Sequence, residues 1–417
     1  MASAAPLPND NHGWSTGWRL ATLALQYNVS AESETAAEIS TTIEALLRLN
    51  KVTGIPGLPA RSLAAPTQMA GVAQHPTHWE WNKSPSMPGW MFIGNTSSDE
   101  LTGHIPGYTL ALLLADGALD STEKQTLTEL LANITLRIVH DGFRIIDVDG
   151  QPTKWGEYSP EALNGDPDRM EERGLNSLQI LVHLICAHRF TELPELENAF
   201  HELVEEHAYL DNLANQKISA PDDLDGSDNE LAFIPFLALH YACRTPGSPA
   251  ATQSMCETVW PSAMLSLQRS YEILRSEESG LWALIYATID KGSEAAAAAA
   301  ATGVSALQRY PLELVMWPTD PSARIDLPTD IDMLPWLNQS SRALPRDECT
   351  LAMEWGRSPF QRAPQGNGLE AMDPVMYLIA FWLGEREGLL GATGGRALKT
   401  EDAELSAGTR LFVAETW

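Results

Sequence analysis

Apolar residues return every three or four positions along most of this chain, a period that admits helices and little else. The spacing predicts helices over "GWRLATLALQY", "TAAEISTTIEALLRL", "YTLALLLADGA", "TEKQTLTELLANITLRIVHDG", "GLNSLQILVHLICAHRF", "ELENAFHELVEEHAYL", "NELAFIPFLALHYA", "AMLSLQRSYEILR", "GLWALIYATI" and "PVMYLIAFWLGEREG". They come in pairs divided by long loops rich in Pro, Gly and Trp. Strand alternation is confined to "FRIIDVDGQPTKW", where Asp149-Gly150 predicts a two-residue hairpin turn. The alanine run "EAAAAAAATG" prefers helix. No break in composition divides the chain, so residues 1–417 are expected to form a single domain. Successive antiparallel hairpins predict an all-α fold, an (α/α)6 or (α/α)7 toroid with long loops and one small β-hairpin. An open helical solenoid is the alternative.

Composition narrows the partners. A net charge of −28 repels phosphate backbones and anionic lipid headgroups, so neither nucleic acid nor membrane is expected. No apolar run approaches the roughly 18 residues of a membrane span. The opening "MASAAPLPNDNHG" has neither a charged n-region nor an apolar h-region, so no signal peptide is visible. Cys186, Cys243, Cys256 and Cys349 are scattered, with no CxxC pair and no metal-type spacing. They read as core thiols with room for one disulfide, and no metal or cofactor is expected. Sequons at Asn28, Asn95, Asn133 and Asn338, with the acidic balance, lean toward secretion; a cytoplasmic protein is the alternative. A monomer or homodimer is expected.

Three helix starts carry the chemistry. In "GNTSSDELTGHIPGY", Ser97 and Glu100 form an S-x-x-E capping box, and Asp99 and Glu100 face the positive end of the helix dipole. Capping leaves His104 unexplained, one turn after Glu100 on the same face. Gly103 and Gly107 weaken a helix and predict a close approach by another element. The pattern returns in "GSDNELAFIPF", where Ser227 and Glu230 make a second box around Asp228 and Asn229, and Ile234-Pro235 echoes Ile105-Pro106. A third start, "ERGLNSLQIL", sets Arg173 and Asn176 ahead of an apolar run, with Asn176 a candidate cap.

Loops between them are rich in groups that suit sugars. "PTKWGEYSP" supplies Lys154, Trp155, Glu157 and Tyr158; "YLDNLANQK" supplies Asn212, Asn215, Gln216 and Lys217; "HPTHWEWNKSPSMPGW" supplies His75, His78, Trp79, Trp81 and Trp90. Flat aromatic faces beside amides and carboxylates match sugar rings, which present C–H faces and hydroxyl edges. With 13 Trp in the chain, several of them in loops, a binding cleft is expected.

With these residues assembled, the chain resembles the (α/α)-barrel uronan lyases that cut glucuronan or mannuronan. The resemblance rests on "NDNHGWSTGW", "LLRLNKVTGIPGLPARS", "TSSDELTGH", "DGFRIIDVDGQPTKWGEYSPEALN", "ERGLNSLQIL" and "SDNELAF", with fainter echoes in "GLWALIY" and "RALPRDE". It implies a polysaccharide lyase acting by β-elimination on an oligo- or polysaccharide containing uronic acid. An amide or Arg neutralises the uronate carboxylate, a Tyr or His removes the C5 proton, and a Tyr protonates the leaving oxygen. On that pattern Asn176 is the neutraliser, Tyr286 the acid/base, Arg173 a helper and His104 a second proton-transfer group. Asp99, Glu100, Trp155, Glu157, Tyr158, Asn215, Lys217, Asp228, Asn229, Glu230 and Trp282 would bind substrate. The chain departs from the family where relatives carry His before the acidic box and this sequence has Gly226, and where "NDNH" has His12 in place of Asp.

Three other readings stand beside it, one of them a noncatalytic sugar-binding module. An inverting glycoside hydrolase would draw two carboxylates from Asp99, Glu100, Glu157, Asp228 and Glu230. A toroid repurposed for biosynthesis would shape an apolar small molecule for cyclisation.

Overall fold

The computed structural model describes residues 11–68, 80–215, 226–310, 317–327 and 374–391, with the isolated positions 344, 362, 364, 366 and 368. Lys217, Gln216, His75, His78, Trp79, Cys349 and Asn338 lie outside the described residues.

Helices fall into two kinds that the sequence pattern already separates. α2 (Ser33–Val52) buries Thr35, Ile39, Ile43, Leu46 and Leu49, a single stripe at helical spacing. α4 (Ser121–His140) does the same with Leu127, Leu131, Ile134 and Ile138. α10 (Ala250–Leu274) and α12 (Glu294–Gln308) are likewise buried along one face. By contrast α3 (Ser98–Leu114), α6 (Arg173–Thr191) and α11 (Gly280–Ile289) are buried all round. A helix buried on every side must be wrapped by others.

The packing follows that division. α1 (His12–Ser30) lies against α3, α3 against α6, and α6 against α9 (Gly226–Arg244). α9 meets α11, α11 meets α13 (Val375–Glu387), and α13 returns to α1. The one-sided helices cover this series: α2 on α1, α4 on α3 and α6, α10 on α9 and α11, α12 on α11 and α13. Three shorter helices, α5 (Pro160–Gly165), α7 (Pro194–His201) and α8 (Tyr209–Ala214), pack on α6. The fold is all-α in class. No helix among the described residues is long and apolar enough to cross a membrane.

What approaches Gly103 and Gly107 is α1. A Cβ on Gly17 would lie 2.2 Å from the carbonyl of Gly103, and one on Gly107 would lie 2.5 Å from the carbonyl of Gly17. A Cβ on Gly103 would in turn lie 2.6 Å from the carbonyl of Gly13. Two G-x-x-x-G pairs thus let two helix backbones touch, a geometry open only to residues without side chains.

Two small sheets lie in the loops. β1 (Ser62–Ala64), β2 (Trp81–Lys83) and β3 (Met91–Ile93) form an antiparallel sheet in the order β1-β3-β2. It escapes sequence reading because strands of three residues are too short to show alternation. β4 (Arg144–Ile146) and β5 (Pro152–Glu157) form the expected hairpin. Its turn differs from expectation: Asp147 N–H donates to the Gln151 carbonyl, closing a three-residue loop with Gly150 at φ +78°. Glycine in the left-handed region at the end of such a loop adds a bulge residue that a two-residue turn lacks.

Cys243 at the end of α9 and Cys256 on α10 form a disulfide, and Cys186 is a buried free thiol. The bond closes a loop of 13 residues across the α9–α10 turn. Cys243→Ser is expected to cost about 3 kcal/mol by the loop-entropy scale, read as a lower denaturation midpoint at unchanged slope.

Candidate functional site

The starts of α1, α3 and α6 meet beside β1 and the end of β5, and a buried arginine ties them together. Arg61, 3% exposed, donates through Nη2 to Asn11 Oδ1 (2.6 Å) and through Nη1 to the Asn95 carbonyl (3.2 Å). The same guanidinium lies 3.7 Å from Glu100 and 3.8 Å from Asp99. Gly13 N–H donates to the Arg61 carbonyl, fixing the first turn of α1 against this strand.

The first capping box forms as expected. Ser97 backbone N–H and hydroxyl both donate to Glu100 Oε2, at 2.8 and 2.7 Å, and Asp99 N–H donates to Ser97 Oγ. Ser97→Ala is expected to cost about 1 kcal/mol in denaturant unfolding, whatever the chain does. Burial drives the Glu100 carboxyl up to about 7, against the opposing pull of Arg61. α9 is described from Gly226 onward, with Ser227 and Glu230 in its first turn. Asn176 lies in the first turn of α6, and its Nδ2 donates to the Glu157 carbonyl (3.0 Å) and to Glu172 Oε2 (3.4 Å). It therefore pins β5 to α6 where a cap was expected.

His104 has a defined tautomer. Tyr108 Oη accepts from Asn50 Nδ2 (3.0 Å), so its own proton goes to His104 Nδ1, 2.6 Å away. The ring proton then sits on Nε2, which faces Gly13 and Glu100 and has no hydrogen-bond partner. Burial pushes the imidazole down to about 3, so it is neutral.

Tyr158 follows β5 and sets its ring edge-on to His183 of α6, with centroids 5.9 Å apart. Both residues are fully buried; neither the Tyr158 hydroxyl nor either His183 nitrogen has a partner. Burial, with Asp99, Glu100 and Glu172 nearby, holds the phenol well above its ordinary value, and burial takes His183 down to about 3. Asp99 and Glu172 keep side-chain exposures of 16% and 26%, so solvent reaches the region beside the phenol. Asn229 on α9 is 1% exposed with both amide atoms unpartnered. α6 and α9 are joined at this level by Gln179 Nε2, which donates to the Leu231 carbonyl at 3.4 Å. Pro235, lacking an N–H, leaves that carbonyl without its helical partner.

The remaining expected residues are placed as follows. Tyr286 sits near the end of α11, donates to Asp290 Oδ2 (2.8 Å) and stacks on Tyr271 (4.3 Å). None of these contacts joins it to Asn176 or His104. Arg173 donates to the Leu163 carbonyl. Glu157 accepts from Arg144 (3.1 Å) and from Ser159 N–H (3.0 Å). Asn215 accepts from Arg269 (2.8 Å) on α10, and Trp282 donates to Glu277 (3.1 Å) inside the core. Asp228 and Glu230 stand in the first turn of α9 beside Asn229, with Glu230 2% exposed. Trp155 is exposed on the hairpin.

His183, Gln179 and Arg61 are the residues that sequence reading passed over. A signal for the first two exists: Asn176, Gln179 and His183 are spaced three and four apart, a polar stripe down an otherwise apolar helix. Arg61 carries no such signal, because its partners come from distant segments. Among the described residues no cluster of His, Cys, Asp or Glu is arranged to hold a metal ion. Comparison with protein-family models, curated proteins and solved structures finds no match.

Proposed function

We propose that the chain is a polysaccharide lyase that cleaves a glycan containing uronic acid by β-elimination, on a toroid of helical hairpins folded as one domain. One observation carries the reading: the buried groups left with open valence here are mainly a phenol, imidazoles and an amide. The carboxylates beside them are each engaged through at least one oxygen, with Glu100 Oε1 itself unpartnered. Glu100 is bound by Ser97, Asp99 lies against Arg61, Glu157 accepts from Arg144, and Glu172 accepts from Arg169. Elimination uses the first set and hydrolysis the second.

In this reading His183, kept neutral, takes the C5 proton of the uronate. The C5 electron pair forms the C4=C5 double bond as the C4–O bond breaks. Tyr158, kept protonated, gives its proton to the leaving oxygen. The imidazolium and phenolate that result are ring neighbours, and proton return between them restores both. Asn229 Nδ2 and His104 Nε2–H donate to the uronate carboxylate, which lowers the barrier to C5 deprotonation. Tyr286 and Asn176, expected from the resemblance to act in catalysis, take no proton-transfer part in this reading.

The Cys243–Cys256 disulfide suits an oxidising compartment and supports export. The sequons add little to that: Asn28 and Asn95 have side chains committed to hydrogen bonds, and Asn133 lies within α4. An oligo- or polysaccharide is the partner, and the enzyme works as a monomer or homodimer.

The test is incubation with glucuronan, alginate and neutral glycans, following the ultraviolet absorbance of unsaturated uronate ends. Absorbance rising on a uronan alone is the expected result. New reducing ends without absorbance would replace the lyase by an inverting hydrolase, for which Glu100, raised to about 7, is the natural acid. Inactivity on every glycan would leave the biosynthetic cyclase.

A further inference from the structure

Among the described residues around the candidate site, three arginines are committed to carboxylates. Arg61 lies against Asp99 and Glu100, Arg144 against Glu157 and Glu161, and Arg169 against Glu172. Lys154 differs. It has no carboxylate partner among the described residues, and its Nζ sits 4.2 Å from the centroid of the Trp155 ring. Trp155 is 39% exposed, whereas Trp14, Trp18 and Trp282 are core residues. Beside it, Arg169 Nη1 donates to the Lys154 carbonyl (3.1 Å), and the next residue, Met170, is 65% exposed. A cation with no carboxylate partner among the described residues, the exposed indole it lies over and an exposed thioether therefore come close together.

That surface is fixed relative to Tyr158. Both lie on one extended segment, and three residues of strand span about 10 Å, roughly the length of a disaccharide. The Asn95 side chain accepts from Lys154 N–H (3.2 Å), which ties the strand to the loop ahead of α3.

We propose that Lys154 and Trp155 form a distal sugar subsite that grips one uronate unit of the glycan. The indole takes the C–H face of the ring, and the ammonium takes its carboxylate. The subsite rests on the glycan reading above and extends it, since it sets a preference for acidic chains longer than a disaccharide. It also answers the chain's overall negative charge: Lys154, with no carboxylate partner among the described residues, offers its ammonium to a polyanion.

Calorimetric titration of the intact chain carrying Tyr158→Phe, which leaves substrate uncut, tests it with glucuronan tetrasaccharide and cellotetraose. Trp155→Ala is expected to raise the glucuronan Kd about tenfold, the upper range for loss of one aromatic contact. Trp155→Phe is expected to recover most of that affinity, which separates stacking from damage to the hairpin. Lys154→Met is expected to weaken the glucuronan tetrasaccharide and leave cellotetraose unchanged. An unchanged glucuronan Kd in both variants, equal losses on the two ligands in Lys154→Met, or no binding by the parent would each overturn the subsite. The elimination assay is read separately. Unsaturated product with affinities indifferent to both variants keeps the lyase and removes the subsite. The expected affinities without unsaturated product keep the subsite and remove the lyase.

Discussion

Tyr158→Phe is expected to lower the elimination rate by about 10²–10⁴-fold, the range for loss of a positioned proton donor, while the chain stays folded. The fold should survive because the hydroxyl has no partner in the structure. Removing an unsatisfied buried hydroxyl costs nothing in lost hydrogen bonds and can stabilise. Tyr286→Phe makes the contrast. From the resemblance alone it should abolish turnover, yet its hydroxyl serves Asp290 at the far end of α11. Its expected cost is about 1 kcal/mol of stability, the net worth of one hydrogen bond, with turnover close to the parent. Measuring kcat and the denaturation midpoint for both variants settles which tyrosine acts. A Tyr158→Phe enzyme with parental kcat, or a dead Tyr286→Phe enzyme, would reverse the assignment.

Gly17→Ala is expected to be among the most damaging single methyls in the described chain. The added carbon would stand 2.2 Å from the Gly103 carbonyl and 2.7 Å from its Cα, with backbone on both sides and no side chain to swing away. The two helices must then separate along the seam that also carries Trp14, Ile105 and Tyr108 in the core. A loss of about 3 kcal/mol or more is expected, at or beyond the usual range for overpacking. Gly280→Ala is the control. Its Cβ would meet nothing closer than 3.5 Å, so a change within about 0.5 kcal/mol is expected in the same denaturant titration.

The same glycines show how far the sequence can be read. Gly103 and Gly107 announced a close approach, because glycine inside a helix has a cost that packing must offset. That the partner would be Gly13 and Gly17 could be seen only as a matching spacing, since nothing in a sequence orders two distant helices in space. The helical class, the ten apolar segments and the Ser97 cap were legible for the same reason: each depends on neighbours within one turn. The three-stranded sheet was not, and neither was the long-range use of Asn176 as a strap to β5. The site divides along the same line. His104 stood out because capping left it unexplained. Arg61 could not stand out, because Asn11, Asn95, Asp99 and Glu100 reach it from separate stretches of chain. His183 fell between, hidden in an apolar run but marked by its spacing from Asn176 and Gln179.

In the proposed reaction, bond cleavage proceeds by loss of the C5 proton and without attack by water. Mass spectrometry of the products formed from glucuronan in heavy-oxygen water reads that directly. Elimination places no solvent oxygen in the new ends and leaves one fragment lighter by a water, and this is the expected result. Heavy oxygen built into the products, or no cleavage of any uronan, would contradict the account.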